Sequence, residues 1–261
     1  MKNQLNSQVL DIEFITDNLF TLKVQPDFAI PDFLPGQYVA LGLPPEAPKV
    51  SWAEQGDKET IKEGRLIRRT YSIASPPSNK EYLEFFIAVV KDGVLSPRLA
   101  ALKKGDKLFT MPKTAGAFTL EGVNNAEKIF LFATGTGIAP YMSMLRDKTI
   151  FNLANSVYLI YGVRYETDFC YDQELEKLKQ SEPKFNYLKT VSRPSTNWKG
   201  RKGYVQDYIN DGTLNINPKT DHIFLCGNPN MVEDVSSRLL KQGFKVHKKR
   251  EHGNLHLEAY W

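Results

Sequence analysis

The chain is poor in the residues on which metal and disulfide scaffolds depend. Its 261 residues include 2 cysteines, Cys170 and Cys226, and 4 histidines, His222, His247, His252 and His256. Two thiols cannot hold a four-cysteine zinc or iron–sulfur centre, nor can they build a disulfide framework. The histidines lack the HExxH spacing of a helical zinc site, so no metal is expected. Long apolar runs are missing as well. No window approaches the roughly 18 apolar residues of a spanning helix, and the opening MKNQLNSQVLDIEF has no signal-peptide core. A cytoplasmic location without membrane contact is the expectation. Charge of one sign is also scarce: 34 Lys and Arg against 30 Asp and Glu leave +4, too little to argue for nucleic acid. The densest basic run, KQGFKVHKKR at 241–250, reads as a solvated helix end or strand edge, or else as local steering for a small acidic partner.

What is present is an ordinary globular balance, 41% apolar and 25% charged, in a length that suits two modest domains or one large one. From residue 8 to about 120, runs such as QVLDIEFIT, LFTLKVQ, GQYVALGL, RRTYSIAS and LEFFIAVV are separated by Pro, Gly, Asn and Asp. Short β-branched and aromatic runs with such punctuation predict a small antiparallel barrel or sandwich. SPRLAALKKGD predicts one helix there, with Ser96 as cap, Pro97 in the first turn and Gly105 as stop. PPEAPKVSWAEQGDKETIKEGRL at 44–66 is charged and aperiodic, and reads as a surface insertion between two strands. After GVNNAEK the pattern changes to apolar strands alternating with helical segments, which implies a parallel sheet covered on both faces. The boundary is expected near 120–126, giving domains 1–122 and 123–261.

The chemistry-bearing segments fall at the ends of those strands. In ATGTGIAPYMSMLR, Gly135 and Gly137 sit in the turn between a strand and a helix. Glycine there lets the backbone approach a pyrophosphate, whose charge the helix N-terminus stabilises. The pattern is Gly-x-Gly-x-x-Pro, with Pro140 in place of the third glycine. The next strand, YLIYGVR, ends in Arg164 where a ribose-binding acid is usual, so a 2′-phosphate and NADP are favoured over NAD. TVSRPSTNWKGRKGY brings Arg193, Lys199, Arg201 and Lys202 to the same edge, as a solvated basic loop or as further phosphate ligands. In CGNPNMV, Cys226 ends a strand, as small packing or as a crevice residue, and Gly227 opens a turn. The amides near Ser96 are a second candidate pyrophosphate site.

Arg69-x-Tyr71-Ser72, Gly93-x-x-Ser96, Gly135-Thr136-Gly137-Ile138-Ala139-Pro140, Cys226-Gly227-Asn228-Pro229 and Glu258-Ala259-Tyr260-Trp261 occur in this order across nearly the whole chain. Together they resemble the ferredoxin/flavodoxin NADP reductase family, most of all its bacterial type ending in Tyr-Trp. The resemblance implies an N-terminal antiparallel β-barrel that binds FAD and a C-terminal Rossmann-like parallel-sheet domain that binds NADP. It implies hydride transfer between NADPH and FAD, coupled to single-electron transfer to a small acidic ferredoxin or flavodoxin. A monomer is expected.

By the same resemblance Arg69 binds the flavin pyrophosphate, Tyr71 packs on the isoalloxazine, and Ser72 lies near flavin N5. Thr70, Ala88, Val89, Val90 and Gly93 lie along the flavin, and Val94, Leu95 and Ser96 meet its pyrophosphate. Thr136 is shared by both cofactors. Thr134, Gly135, Gly137, Arg164, Ser192, Arg193, Arg201, Cys226, Gly227, Asn228 and Met231 are assigned to NADP. Tyr260 covers the flavin face that nicotinamide must occupy, and Trp261 packs toward the FAD adenine. Ser72, Cys226, Glu258 and Tyr260 are the expected catalytic group, acting by positioning and charge. Two rival functions share most of these motifs: the reductase of an oxygenase chain, and a flavin or nucleotide sensor without turnover.

Overall fold

Alternating apolar residues and turn-forming punctuation give six strands in the first part of the chain: β1 (Ser7–Thr16), β2 (Leu19–Pro26), β3 (Tyr38–Leu43), β4 (Ile67–Ser72), β5 (Leu83–Ala88) and β6 (Lys107–Thr110). They form one sheet in the order β4-β3-β6-β1-β2-β5, and every pairing is antiparallel. The residues after β4 meet the far edge strand, where the Ala74 amide donates to the Glu84 carbonyl at 2.8 Å and the Glu84 amide donates to Ser75 Oγ at 3.1 Å. That contact brings the two ends of the sheet together, as in the expected barrel. Phe20, Leu22, Leu41, Phe85 and Leu99 are fully buried inside it, each worth about 1.5–3 kcal/mol of apolar burial.

The computed structural model describes residues 5–55, 64–248 and 250–259. It divides the chain into two units, Met1–Gly116 and Ala117–Trp261. The division precedes the expected 122/123 because Phe118 packs with the second unit, edge-on to Phe224 at 5.5 Å and tilted against Tyr141 at 5.9 Å.

Two expectations for the first unit need correction. The helix α1 covers only Ser96–Ala100, and Leu95, not Ser96, occupies the N-cap. Ser96 Oγ instead accepts from the Val90 amide at 3.0 Å, closing the 90–96 loop. Gly105 lies beyond the helix, in the turn into β6. The insertion is also more than a surface loop. Arg98, buried on α1, donates to the Pro45 carbonyl from Nη2 at 2.6 Å and to the Val94 carbonyl from Nη1 at 2.6 Å. The Val50 amide donates to the Pro97 carbonyl at 3.1 Å and the Glu54 amide to Lys91 at 2.9 Å. Residues 56–63 of the insertion lie outside the described residues.

The second unit alternates strand and helix: β7 (Ala126–Thr134), α2 (Ala139–Asp147), α3 (Ile150–Leu153), β8 (Ala154–Val163), α4 (Asp172–Ser181), β9 (Phe185–Val191), β10 (Arg201–Lys202), α5 (Asp207–Asn210), β11 (His222–Gly227), α6 (Pro229–Lys241) and β12 (Leu255–Ala259). Its sheet runs β10-β9-β8-β7-β11-β12, parallel throughout. The chain winds outward from β7 to β10 and returns to the other side of β7 as β11. That reversal makes the carboxyl end of β7 the topological switch point, where open α/β sheets bind ligands. Phe130, Phe132, Ile160, Ile223 and Leu225 fill the core beneath it. Among the described residues no helix is long and apolar enough to cross a membrane.

Candidate functional site

Strand register assembles the second unit's candidates on one edge. Thr134 pairs with Gly162, Gly162 with Thr190, and Thr190 with Arg201, so these four form one row at the carboxyl end of the sheet. Cys226 lies between Ala133 and Glu258 in the ladder, which makes Cys226 and Glu258 lateral neighbours on one face. Burial pushes the hydroxyl of the neighbouring Tyr141 well above its ordinary range, with smaller upward contributions from Cys226 and Glu258. Tyr141 itself donates to the Phe132 carbonyl at 3.1 Å.

Two turns interlock at the switch point. After β7 comes a 3-10 turn, Gly135–Ile138, before α2 begins. A Cβ on Gly137 would collide with the Cys226 carbonyl, and one on Gly227, at φ +130°, would collide with Thr134. The Asn228 amide donates to Thr134 Oγ1 at 2.8 Å, and the Asn228 side chain caps α6 by accepting from the Asn230 amide at 2.9 Å. Both glycines are therefore demanded by close backbone approach, whereas a Cβ on Gly135, at φ +53°, would meet nothing within 4 Å, so the turn is open at that position. Met231 is buried in the first turn of α6.

The arginines sit where their strands end. Arg164 and Arg193 are exposed and joined through their backbones, the Arg193 amide donating to the Arg164 carbonyl at 2.9 Å. The Ser192 amide donates to Val163 at 3.0 Å in the same step. Glu166 braces this loop by accepting from the Ser195 amide and hydroxyl, both at 2.7 Å, and those bonds hold its carboxyl below the usual range. Arg201 differs from its two companions. Its guanidinium pairs with Asp211, donates to Thr213 Oγ1 at 3.3 Å, and lies 4.0 Å over the Tyr208 ring. Sequence reasoning missed Glu166 and Asp211, although the Asp-Gly of NDGT at 210–213 is a recognisable turn signal close after a basic strand.

In the first unit, Arg69 and Thr70 are exposed on β4, Tyr71 is half-buried against the barrel core, and Ser72 is buried opposite Tyr38. Arg69 Nη1 donates to the Arg68 carbonyl at 2.9 Å, while Arg68 covers the Phe109 ring at 4.0 Å. Burial raises the Tyr71 hydroxyl pKa, against a smaller opposite pull from Arg69. Ala88 and Val90 are exposed and Val89 buried, so this stretch keeps the alternation of a strand edge. Gly93 is half-buried and Val94, Leu95 and Ser96 are buried. Tyr260 and Trp261 lie outside the described residues.

An antiparallel six-stranded unit followed by a parallel unit with a glycine-lined switch point defines a class, the two-part nucleotide-dependent oxidoreductases. Residues 131–237 match the oxidoreductase NAD-binding domain. The whole chain is 32% identical to all of a flavodoxin/ferredoxin–NADP reductase from Buchnera aphidicola. It is 34% identical over 90% of its length, and 89% of the relative's, to the Escherichia coli flavodoxin/ferredoxin–NADP reductase. A ferredoxin–NADP reductase from Azotobacter vinelandii is 32% identical over 94% of this chain and 93% of its own. In fold the chain is similar to a Neisseria gonorrhoeae ferredoxin NADP+ reductase, solved with bound FAD and NADP, at a TM-score of 0.82, 24% identity and 97% coverage of each chain. The chain belongs to the flavodoxin/ferredoxin–NADP reductase family of oxidoreductases.

Proposed function

We propose that this chain is an FAD-dependent reductase that exchanges a hydride with NADP(H) and single electrons with a small acidic ferredoxin or flavodoxin. The observation that carries this reading is the carboxyl edge of the parallel sheet, where register sets Cys226 beside Glu258 and the strand ends present Arg164, Arg193 and Arg201. The residues fit the groups they would hold. The open backbone at Gly135, in the turn that follows β7, suits a pyrophosphate, and Arg164 and Arg193 are two cationic side chains on adjacent strand ends. On β4 the exposed Arg69 guanidinium suits a second pyrophosphate, with Tyr71 as an aromatic surface on the same strand face.

Bound FAD supplies the switch between two-electron and one-electron chemistry. The chain's own contribution is placement. Arg69 and the 93–96 loop fix the flavin's phosphate end; Arg98, by tying that loop to Pro45, holds it still. Thr134 and the 135–137 turn orient the nicotinamide nucleotide, and Arg164, Arg193 and Arg201 select for its 2′-phosphate. Ser72 acts on the flavin, and Cys226 and Glu258 act on the nicotinamide, by position and charge and without forming a bond. The test is reconstitution with FAD followed by NADPH-driven reduction of a ferredoxin or flavodoxin. Turnover supports the proposal; a flavin-loaded protein that reduces neither carrier contradicts it.

A further inference from the structure

Three arginines on neighbouring strand ends are assigned to the proposed 2′-phosphate site, yet they are not equivalent. Among the described residues Arg164 and Arg193 have no carboxylate partner, whereas Arg201 pairs with Asp211. The pair is built, not incidental. Asp211 Oδ1 accepts from the Thr213 amide at 3.0 Å and from Thr213 Oγ1 at 2.6 Å, so the Asp-Gly-Thr turn fixes the carboxylate. Its other oxygen, Oδ2, meets Arg201 Nη2. The hydrogen bonds from Thr213, followed by the pull of Arg201, hold the Asp211 carboxyl down to about 2, so it is charged at neutral pH. The two side chains remain 25% and 47% exposed, which leaves the pair open to exchange with a soluble anion.

Resting on the reading of Arg201 as a 2′-phosphate ligand, we infer that Asp211 sets nucleotide specificity as an internal competitor. Its carboxylate occupies the guanidinium that the 2′-phosphate must engage, and so weakens the capture of NADP(H) without touching nucleotides that lack that phosphate.

The sign of the effect follows from what else holds Arg201. Its side chain lies over Tyr208 at 4.0 Å, Tyr208 is itself fixed through its hydroxyl to the Lys189 carbonyl at 2.9 Å, and the Arg201 carbonyl accepts from Trp198 Nε1 at 3.0 Å. Backbone and ring therefore place the guanidinium without help from Asp211. Removing the carboxylate leaves a placed cation with its full charge, and it removes an anion that repels the incoming phosphate.

The test uses the FAD-loaded full-length protein and calorimetric affinities for adenosine 2′,5′-bisphosphate and for 5′-AMP. Asp211→Asn is expected to bind the bisphosphate about threefold to tenfold more tightly, with 5′-AMP unchanged. The gain should vanish in an Arg201→Ala background, since a double-mutant cycle isolates the coupling. Asp211→Ser, whose hydroxyl can still accept from the Thr213 amide, repeats the measurement if the Asn variant disturbs the turn. Unchanged or weaker bisphosphate binding in both variants overturns the inference, as does an equal gain for 5′-AMP. If Arg201→Ala also leaves the preference for the bisphosphate intact, the 2′-phosphate role of Arg201 fails; if it abolishes the preference while Asp211→Asn changes nothing, only the competitor role fails.

Discussion

The two units organise candidate residues by different means. In the parallel unit most candidates sit at or just beyond the end of a strand, and one register aligns Thr134, Gly162, Thr190 and Arg201 in a single row. In the antiparallel unit the candidates lie along β4 and on the 88–96 stretch, and the latter is held by Arg98 and the Pro45 carbonyl from a distant part of the chain. A parallel sheet thus gathers its site through its own hydrogen-bonded ladder. The antiparallel unit depends on side-chain bonds from an insertion. Substitutions should hurt the first unit through loop order and the second through backbone approach.

The largest effect is expected at that backbone approach. Gly227→Val places a branched side chain at φ +130° against Thr134, a strain of at least about 1–3 kcal/mol before the clash is counted. It should lower the thermal midpoint and abolish NADPH binding, as followed by calorimetry and nucleotide titration. Next in size is Arg98→Met, which keeps the stem but strips the donors from the half-buried Pro45 carbonyl and from the carbonyl of buried Val94. Each unsatisfied carbonyl costs about 1–3 kcal/mol, and FAD loss on gel filtration should rise with it. A variant that stays fully loaded would show that the insertion does not order the 93–96 loop.

Arg193→Ala combined with Arg201→Ala should weaken NADPH by about one to two orders of magnitude, from two charge-assisted contacts, and NADH far less. Equal losses for both nucleotides would remove the distinction between the arginine edge and the glycine turn. Arg69→Ala should raise the FAD dissociation constant about tenfold, measured by flavin fluorescence during dilution.

Much of this contrast was legible in the sequence. The glycines, Arg164 and Cys226 follow apolar strands directly, so strand ends could be read as site positions without a structure. Strand β4 was equally plain, because RRTYS carries chemistry inside a strand pattern. The rest depended on tertiary bonds that leave no local trace. Ser96 looks like a cap, yet its hydroxyl serves the Val90 amide. The two-residue strand β10 has no periodicity to detect, and the role of Arg98 emerges only when Pro45 lies beside it.

The smallest predicted effect lies at the opposite end of the parallel sheet, where His222 begins β11 and its Nδ1 lies 3.3 Å from His256 Nε2. Burial, then the charges of His247 and His222, hold His256 down to about 2, and burial lowers His222 as well. Both fold in the neutral form while the unfolded chain titrates near 6.5, so their contribution is complete above that value and is lost as pH falls below it. The slope cannot exceed about 1.4 kcal/mol per pH unit per group. His256→Gln should flatten the thermal midpoint between about pH 7 and pH 5; an unchanged slope would place the acid sensitivity elsewhere.

The most direct test of the account is an anaerobic stopped-flow comparison of NADPH and NADH, following the flavin absorbance of the FAD-loaded protein. Fast bleaching by NADPH and slow bleaching by NADH is the result predicted by the proposal that the arginine edge selects the 2′-phosphate. A bound flavin that neither nucleotide bleaches, or that both bleach alike, would contradict it.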